Sequence, residues 1–286
     1  MRTLLLLLAL LATPAAAAGE PKPAAGELKI ATWNLNWLTT RPAGDPALPE
    51  NVRGRSSESL LALRAYAGRL AADVVAIQEV DGPDVAARVF PPERYSIHMT
   101  RDSVVQRVGF AIRHSLAFHA NPDLASLATG RLRSGADITL DLPGGRLRLL
   151  AVHLKSGCRE DRLSGTPRGA CETLRDQIAP LQAWVAARRD EGVAFMLLGD
   201  FNRWMDNGDG FWAALDRTAP LRRATAGQSS PCWGGGGFID HLIAGGAARD
   251  WMVADSLRVL VYRERGAAWK ETLSDHCPVS VRLVAP

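Results

Sequence analysis

The chain has 286 residues and a formal net charge of +4. It contains no internal repeat and no linker-like segment, so the sequence excludes a repeat array and indicates one domain, of a size that layered β architectures often reach. The small basic excess suits a polyanionic substrate without requiring one.

The first residues have the pattern of an export signal. Residues 1–18 combine one arginine, an unbroken leucine-rich stretch and small residues that end in Ala-x-Ala. The apolar stretch breaks at Thr13-Pro14, short of the roughly 20 residues that span a bilayer. We therefore expect a cleaved signal at 1–18, a flexible mature N-terminus at 19–27 and a domain at 28–286. The mature protein would be secreted or periplasmic and would keep no stable membrane anchor.

Strands outnumber helices in the predicted order of elements. A strand at 28–33 precedes a helix that opens at Ser56-Ser57, and a buried strand follows at 74–79. Further strands are predicted at 95–99, 107–113, 136–141, 146–153, 194–199, 238–244, 251–262 and 278–284, with helices near 170–189 and 209–216. The order lacks doubly wound alternation and a GxGxxG run. Two packed sheets with outer helices fit this order best.

Six short polar clusters each follow an apolar run, where a buried strand would deliver its last side chains to the rim of a sheet. They are Thr32-Trp33-Asn34, Gln78-Glu79, His153-Leu154-Lys155, Gly199-Asp200-Phe201-Asn202, Asp240-His241 and Ser274-Asp275-His276. Carboxylates, amides and imidazoles at the rim of a rigid sheet are the groups of a metal-assisted phosphoester site.

Glu79 is the predicted main metal ligand, because a carboxylate after the apolar run DVVAI is costly to keep charged without a partner. Mg²⁺ prefers oxygen ligands and keeps several waters, so one or two carboxylates suffice. Asp275, with help from Asn34 or Asn36, would complete an open site for Mg²⁺ or Mn²⁺. An asparagine after a strand is by itself more often a turn residue than a ligand.

The four cysteines are read as two disulfides, because export places them in an oxidising compartment. Four cysteines allow three pairings. Cys158 follows the H-L-K strand and Cys171 opens a helical stretch, while Cys232 and Cys277 flank the last two polar clusters. We expect Cys158 to pair with Cys171 and Cys232 with Cys277. Free thiols and zinc are the alternatives, although a structural zinc site is disfavoured by the lack of a Cys-x-x-Cys pair.

Taken in this order, the six clusters resemble the endonuclease/exonuclease/phosphatase superfamily, from about Leu28 to Leu283. The G-D-F-N run and the S-D-H run are the most specific parts. The resemblance implies an α+β protein, a four-layer α/β/β/α sandwich of two mixed β-sheets flanked by helices. It also places the metal site across one edge of the sandwich.

The resemblance also implies catalytic roles. Asp200 would orient or deprotonate the attacking water, and Asn202 would hold that water or a phosphate oxygen. His153 and His276 would donate to phosphate oxygens or to the leaving group, which makes cationic imidazoles the useful state. Asp240 would orient His276.

Other positions match the deoxyribonuclease branch less closely. Arg133 resembles a phosphate-contacting arginine, and Lys155 is a further candidate phosphate contact. Where that branch pairs a glutamate with the middle-strand histidine, this chain carries Gln106, which leaves the partner of His153 open. Trp204, just after G-D-F-N-R, would either stack a base or cover the core.

The sequence thus predicts an exported, monomeric, Mg²⁺- or Mn²⁺-dependent phosphodiester hydrolase, an endonuclease-like enzyme with nucleic acid as substrate. Two alternatives remain: a secreted phospholipid phosphodiesterase of sphingomyelinase type, and a non-catalytic binding module on the same fold. The lipid enzyme would need an exposed apolar loop, and the only long apolar run is the signal. The sequence does not distinguish DNA from RNA, endo from exo cleavage, or one metal from two.

Overall fold

A computed structural model describes residues 26–206 and 208–286. The predicted signal peptide and residues 19–25 of the predicted mature N-terminus lie outside these residues. The first strand begins at Glu27, one residue before the strand predicted at 28–33.

The described residues form strands and helices in a mixed order. The strands are β1 (Glu27–Leu38), β2 (Val74–Val80), β3 (Tyr95–Met99), β4 (Arg107–Arg113), β5 (Ala117–Ala120), β6 (Ala136–Leu142), β7 (Gly145–His153), β8 (Ala194–Asp200), β9 (Leu221–Arg223), β10 (Ser229–Ser230), β11 (Gly236–Gly237), β12 (Asp240–Gly245), β13 (Arg258–Val259) and β14 (Val279–Val284). The helices are α1 (Ser57–Leu70), α2 (Pro83–Val89), α3 (Ala170–Asp176), α4 (Ile178–Asp190), α5 (Gly210–Thr218), α6 (Ala248–Trp251) and α7 (Ala267–Thr272).

Two six-stranded sheets carry the fold. The first has the order β13-β14-β1-β2-β4-β3 and the second β5-β6-β7-β8-β12-β9. Each contains one parallel pair, β1 with β2 and β7 with β8, and its other pairs are antiparallel. Both sheets are therefore mixed, as predicted. A separate ribbon of β10 and β11 follows β9 in the chain.

Three apolar clusters separate the layers. The intersheet cluster combines alternate residues of both sheets, such as Ile30 of β1 and Leu149 of β7. The other face of the first sheet packs on α1 and α2, and the other face of the second sheet packs on α3, α4 and α5. Strand alternation explains this division, because successive side chains point to opposite faces. The predicted four-layer α/β/β/α sandwich is confirmed.

Local signals explain where several elements begin and end. Ser56 caps α1 by accepting a hydrogen bond from the Ser59 nitrogen at 3.2 Å. The helix predicted near 170–189 is instead two helices that meet at Gln177, whose buried side chain accepts from the Lys155 nitrogen and donates to the Leu127 carbonyl. Lys155 is thereby held at the end of β7.

The strand predicted at 251–262 is wrong for most of its length. That segment contains the end of α6, a turn with Asp255 at φ 53°, and only the two residues of β13. The Ser256 hydroxyl donates to the Val253 carbonyl and accepts from the Arg282 nitrogen, which satisfies the turn against β14. Short elements such as α2, β5, β9 and α7 were missed because they carry too few residues to show a period.

The two disulfides are Cys158–Cys171 and Cys232–Cys277, the pairing that was predicted. The first closes the loop between β7 and α3, and the second joins the residue before Trp233 to the residue after His276. No helix among residues 26–206 and 208–286 is long and apolar enough to cross a bilayer.

Removal of each disulfide should lower the free energy of unfolding by an amount that follows loop length. The loops span 13 and 45 residues, which correspond to about 3 and about 4 kcal/mol in the chain-entropy model. Urea denaturation of Cys158→Ser/Cys171→Ser and of Cys232→Ser/Cys277→Ser measures both values. Equal stability of wild type and both variants would contradict the structural role assigned to these crosslinks.

Candidate functional site

Three polar side chains stand in a row across the second sheet. Parallel β7 and β8 place His153 beside Asp200, and antiparallel β12 places Asp240 on the other side of Asp200. Ala151 and Leu198, two residues earlier on β7 and β8, belong to the intersheet core. Because side chains alternate along a strand, the three polar groups lie on the intersheet face, where that core ends.

A bulge in β2 brings Glu79 to the same edge. The register of β2 shifts between Gln78 and Val80 against both neighbouring strands, and Glu79 has φ 60°. Regular alternation would put Ile77 and Val80 on opposite faces, yet both pack in the helix-side core. Glu79 is therefore the extra residue, and its side chain is released into a cleft that Asp200 also lines. Bulges often reorient a side chain beside an active site.

Asn34 connects the two sheets beneath this cleft. Its amide nitrogen donates to Glu79 Oε1 at 3.1 Å and to Asp200 Oδ2 at 3.0 Å. The other Glu79 oxygen accepts from the main-chain nitrogen of Trp37, and Asp200 Oδ1 accepts from that of Asn202. In each carboxylate, one oxygen thus accepts a hydrogen bond from a main-chain nitrogen. The other oxygen accepts from the buried amide of Asn34.

His276 and Asp240 form a hydrogen-bonded pair, as the resemblance implies. Nδ1 of His276 donates to Asp240 Oδ2 at 2.8 Å, and Nε2 lies 3.7 Å from Asp200 Oδ2. Burial alone would lower the pKa of His276, but the carboxylates of Asp240 and Asp200 outweigh burial and raise it well above its ordinary value. His276 is therefore a cation, and its Nε2–H lies near Asp200 Oδ2.

The surroundings of His153 favour a neutral ring, unlike the cationic imidazole that the resemblance implies. The guanidinium of Arg133 donates to its Nε2 at 3.2 Å, so that nitrogen carries no proton. Burial, followed by the charges of Arg133 and His276, lowers the pKa of His153 well below its ordinary value. The neutral ring protonates Nδ1, which has no hydrogen-bond partner within the described part of the chain. Gln106 lines the same cleft but makes no hydrogen bond to His153.

Asp200 is the most enclosed carboxyl of the site. Burial raises the pKa of Asp200 to about 7, and the nearby charge of Asp240 adds to this, although the His276 cation and the Asn34 hydrogen bond oppose it. A carboxyl with a pKa near neutrality is suited to accept and release a proton.

Most of the sequence-predicted site residues line one open cleft of about 700 Å³. They are Glu79, Arg133, His153, Asp200, Asn202, Asp240, Asp275 and His276. Asp275 lies at the mouth with about half of its side chain exposed, 3.9 Å from His276 Nε2. The Asn202 side chain donates to the Leu154 carbonyl at 3.1 Å, which fixes the turn after β8.

Three predicted residues do not line this cleft: Asn34, which lies beneath it, Asn36 and Lys155. Asn36 and Trp37 have φ of 45° and 53°, so β1 leaves its regular path after Asn34. The Asn36 amide donates to the Lys270 carbonyl in a separate hollow, away from Glu79. Lys155 is half-buried and does not line the cleft. The structure thus brings Asn34 to the site but not Asn36, and Arg133 but not Lys155.

The cleft also contains residues that sequence reasoning did not single out. They are Ser156, Arg159, Ser230, Trp233, Phe238, Ile239, Lys270 and the glycines 235–237. The run C-W-G-G-G-G beside a predicted disulfide was a usable signal, because consecutive glycines indicate close approach of the main chain to another group.

The other histidines do not line the cleft. His241 follows Asp240 and points to the opposite face, where Nε2 lies 2.9 Å from the Arg203 carbonyl and Nδ1 contacts Thr225. Burial lowers the pKa of His241 to about 3. His98 is half-buried on β3, and the exposed His119 pairs with Asp141.

The donor set beneath the cleft fits a hard divalent cation. Glu79 Oε1 and Asp200 Oδ2 each lie 3.6 Å from the neutral His153 Nε2, so two carboxylate oxygens converge without a fixed cation between them. Carboxylate oxygens suit Mg²⁺ and Mn²⁺, whereas Asn34 turns its amide nitrogen to both carboxylates and its oxygen to the Asn36 nitrogen. Donor atoms of Asp200, Asp240 and His276 also lie within 4.8 Å of one another. The Asp240–His276 hydrogen bond already uses two of those atoms, which makes Glu79 the better ligand.

A family model described as the endonuclease/exonuclease/phosphatase family matches residues 31–276. The chain belongs to this family, which confirms the resemblance seen in the sequence. Among curated proteins, none matches the chain.

Several solved structures share the fold. A truncated TDP2 from Caenorhabditis elegans has a TM-score of 0.62 and 16% identity over 91% of this chain and 99% of that one. The 3'-5' exonuclease NExo from Neisseria meningitidis has a TM-score of 0.59 and 17% identity over 90% and 99%. The human nocturnin catalytic domain has a TM-score of 0.56 and 14% identity over 90% and 94%. At these identities the likeness concerns the fold.

Replacement of Asp240 by Asn should move the alkaline limit of activity toward lower pH. The Asp240 carboxylate raises the pKa of His276, so loss of that charge lets His276 lose its proton at a lower pH. We expect kcat to fall by about 10²-fold or more, the scale of general acid–base catalysis, with little change in metal affinity. The pH dependence of kcat on a phosphodiester substrate measures both effects.

Asp190→Asn is the matched control, because Asp190 is exposed and pairs only with neighbouring Arg189. Its pH profile should equal that of wild type. An unchanged profile and kcat for Asp240→Asn would show that the pair does not set the charge of His276.

Proposed function

We propose that this protein is an exported, Mg²⁺- or Mn²⁺-dependent phosphodiesterase that hydrolyses the backbone of DNA or RNA. The observation that carries the proposal is the convergence of Glu79, Asp200 and the Asp240–His276 pair on one cleft. Family membership supports a phosphoester substrate. The arginine and lysine side chains at the cleft support a polyanion.

Asp200 is the proposed acceptor of the proton of the attacking water. Asn34 and the Asn202 nitrogen hold both of its oxygens, so the carboxylate keeps a fixed direction into the cleft. The water oxygen bonds to phosphorus while its proton passes to Asp200. The bond from phosphorus to the leaving oxygen then breaks.

His276 is the proposed donor to the phosphate. Asp240 holds Nδ1, which leaves Nε2–H for a phosphate oxygen or the leaving oxygen. Arg133 supplies a second, buried cation, and neutral His153 keeps that guanidinium in place through its Nε2. Two cations thus face the cleft, from the loops that precede β6 and β14.

Glu79, with Asp275 at the mouth of the cleft, would hold the divalent ion, and Asn34 would fix the direction of Glu79 through its amide nitrogen. When bound, the ion would neutralise charge on the phosphate oxygens and orient the substrate.

Export is supported by the N-terminal sequence and by the two disulfides, which persist in oxidising compartments. We propose a secreted or periplasmic monomer on this basis.

The lipid alternative lacks a specific structural support. Large exposed apolar side chains within the described residues are Leu61 on α1, Trp269 on α7 and Val284 on β14. They lie on three separate elements and not together on one loop.

A substrate panel tests the proposal directly. Purified mature protein with Mg²⁺ or Mn²⁺ should degrade nucleic acid, and EDTA should abolish the activity. Turnover of sphingomyelin without nucleic-acid turnover would favour the lipid enzyme. No metal-dependent activity on any phosphoester would favour the binding module.

Glu79→Gln should raise the metal concentration needed for half-maximal activity by about tenfold or more, since it removes a charged ligand. The shape of the pH profile should change little. Titration of activity with Mg²⁺ measures the shift. Glu93→Gln, at an exposed glutamate paired with Arg64, is the control and should titrate like wild type. If Glu79→Gln and wild type had the same Mg²⁺ dependence, Glu79 would not be a metal ligand.

A further inference from the structure

His276 differs in its support from the carboxylates of the proposed site. Glu79, Asp200 and Asp240 lie on β2, β8 and β12, whereas His276 lies in the loop between α7 and β14. A side chain on a loop is held less precisely than one on a strand unless other groups fix the loop. The position of His276 therefore depends on contacts outside the hydrogen-bond ladders of the sheets.

The ladder between β1 and β14 ends before it reaches His276. Its last pair joins Thr32 to Val279. Pro278 precedes Val279 and has no N–H that could continue the pairing. Beyond this point, side chains rather than a ladder connect the loop of His276 to the residues that follow Thr32 on β1.

The Ser274 hydroxyl is the first of these connections. It accepts a hydrogen bond from the His276 nitrogen at 3.0 Å and donates to the Asn34 carbonyl at 2.7 Å. A serine that bonds to the nitrogen two residues on is a common turn, but the donation to Asn34 links segments 240 residues apart. Ser274 is fully buried, so water does not compete for either bond.

The Tyr262 hydroxyl holds the other side of His276. It donates to the His276 carbonyl at 2.8 Å and accepts from the indole nitrogen of Trp33 at 2.9 Å. Burial raises the pKa of Tyr262 well above its ordinary value, so the hydroxyl keeps its proton. The ring packs against Tyr66 and Trp233, with centroid distances of 4.8 and 5.3 Å. A fixed ring thus carries this hydroxyl.

Both hydroxyls connect His276 to adjacent residues of β1. Those residues are Trp33 and Asn34, and the Asn34 amide also holds the carboxylates of Glu79 and Asp200. β1 is paired with β2 at both positions. The position of His276 is therefore fixed relative to the strand that also orients the two carboxylates.

We propose that Ser274 and Tyr262 are positioning residues of the phosphodiesterase reaction, which orient His276 toward Asp240 and the substrate phosphate by fixing its main chain to β1. This inference rests on the proposed phosphodiesterase function and adds two residues that do not line the cleft. Loss of either hydroxyl would let the loop move while β1 stays paired with β2. The hydrogen bond from His276 to Asp240 would then weaken, and the metal site would persist.

Steady-state kinetics on a phosphodiester substrate test these roles. Ser274→Ala and Tyr262→Phe should each lower kcat by about tenfold or more, since a displacement of about 1 Å can cost about 10²-fold. KM and the Mg²⁺ concentration for half-maximal activity should change little. Ser274→Thr, which keeps the hydroxyl, should retain most of kcat. If one variant does not fold, the other tests the same claim from the opposite side of His276.

Two buried hydroxyls away from the cleft provide matched controls. Like Ser274, Ser256 donates to a carbonyl and accepts from a main-chain nitrogen. Like Tyr262, Tyr95 donates to a carbonyl, that of Ala72. Ser256→Ala and Tyr95→Phe should keep the wild-type kcat. Equal losses of kcat in the test and control variants would overturn the inference, and so would wild-type kcat in both test variants.

A double-mutant cycle separates positioning of His276 from a general loss of packing. In the Asp240→Asn background, His276 already lacks its carboxylate partner. Ser274→Ala should therefore lower kcat much less in that background than in wild type, because residues that act through one pair are not additive. Additive losses would show that the hydroxyl does not act through His276 and Asp240.

Proton NMR in EDTA separates failure of this inference from failure of the proposed function, because it needs no turnover. The Nδ1 proton that His276 donates to Asp240 should give a slowly exchanging downfield signal, which His276→Gln assigns by removing it. Ser274→Ala and Tyr262→Phe should lose this signal, whereas Ser256→Ala should keep it. If wild type hydrolyses no phosphoester, the phosphodiesterase proposal fails. A signal that persists unchanged in both test variants would refute the positioning roles.

Discussion

The site depends on two carboxylates that meet across the sheets. Glu79 from the first sheet and Asp200 from the second each direct one oxygen to the amide of Asn34. Like charges in a buried setting repel, and one amide donor does not offset that cost. The cations around them, His276 and Arg133, reduce the repulsion, and a bound divalent ion would reduce it further. The same cations are what a phosphate requires, so relief of the buried charge and recognition of the substrate use the same groups.

Charge is also divided between the two histidines by their neighbours. His276 has a carboxylate behind Nδ1, whereas His153 has a guanidinium in front of Nε2. The pKa of His276 is therefore raised and that of His153 lowered, although both are enclosed. The position of a histidine at the end of a strand therefore does not determine its charge. The neighbouring side chains determine it. The lack of a carboxylate at Gln106 agrees with a ring that stays neutral.

The sequence predicted the elements whose signal is local or ordered along the chain. The apolar runs before the clusters predicted that His153, Asp200 and Asp240 would reach the rim of a sheet, and the resemblance carried by the order of the clusters implied the four-layer fold. Prediction from the sequence failed where the backbone departs from the regular alternation of a strand. Alternation puts Asn34 and Asn36 on one side, but left-handed residues after Asn34 separate them. The bulge that frees Glu79 has no signature in D-V-V-A-I-Q-E-V.

The two disulfides also join parts of the cleft that no single strand could hold. One anchors the loop of Arg159, next to Trp204, and the other ties the segment of Trp233 to the residue after His276. The sheets fix Glu79, His153, Asp200 and Asp240, because strand ends are rigid. The walls are loops, which would otherwise be mobile. A covalent tie at the base of each wall therefore gives the loops a rigidity closer to that of the sheets, and a substrate in the cleft would contact parts of similar stiffness.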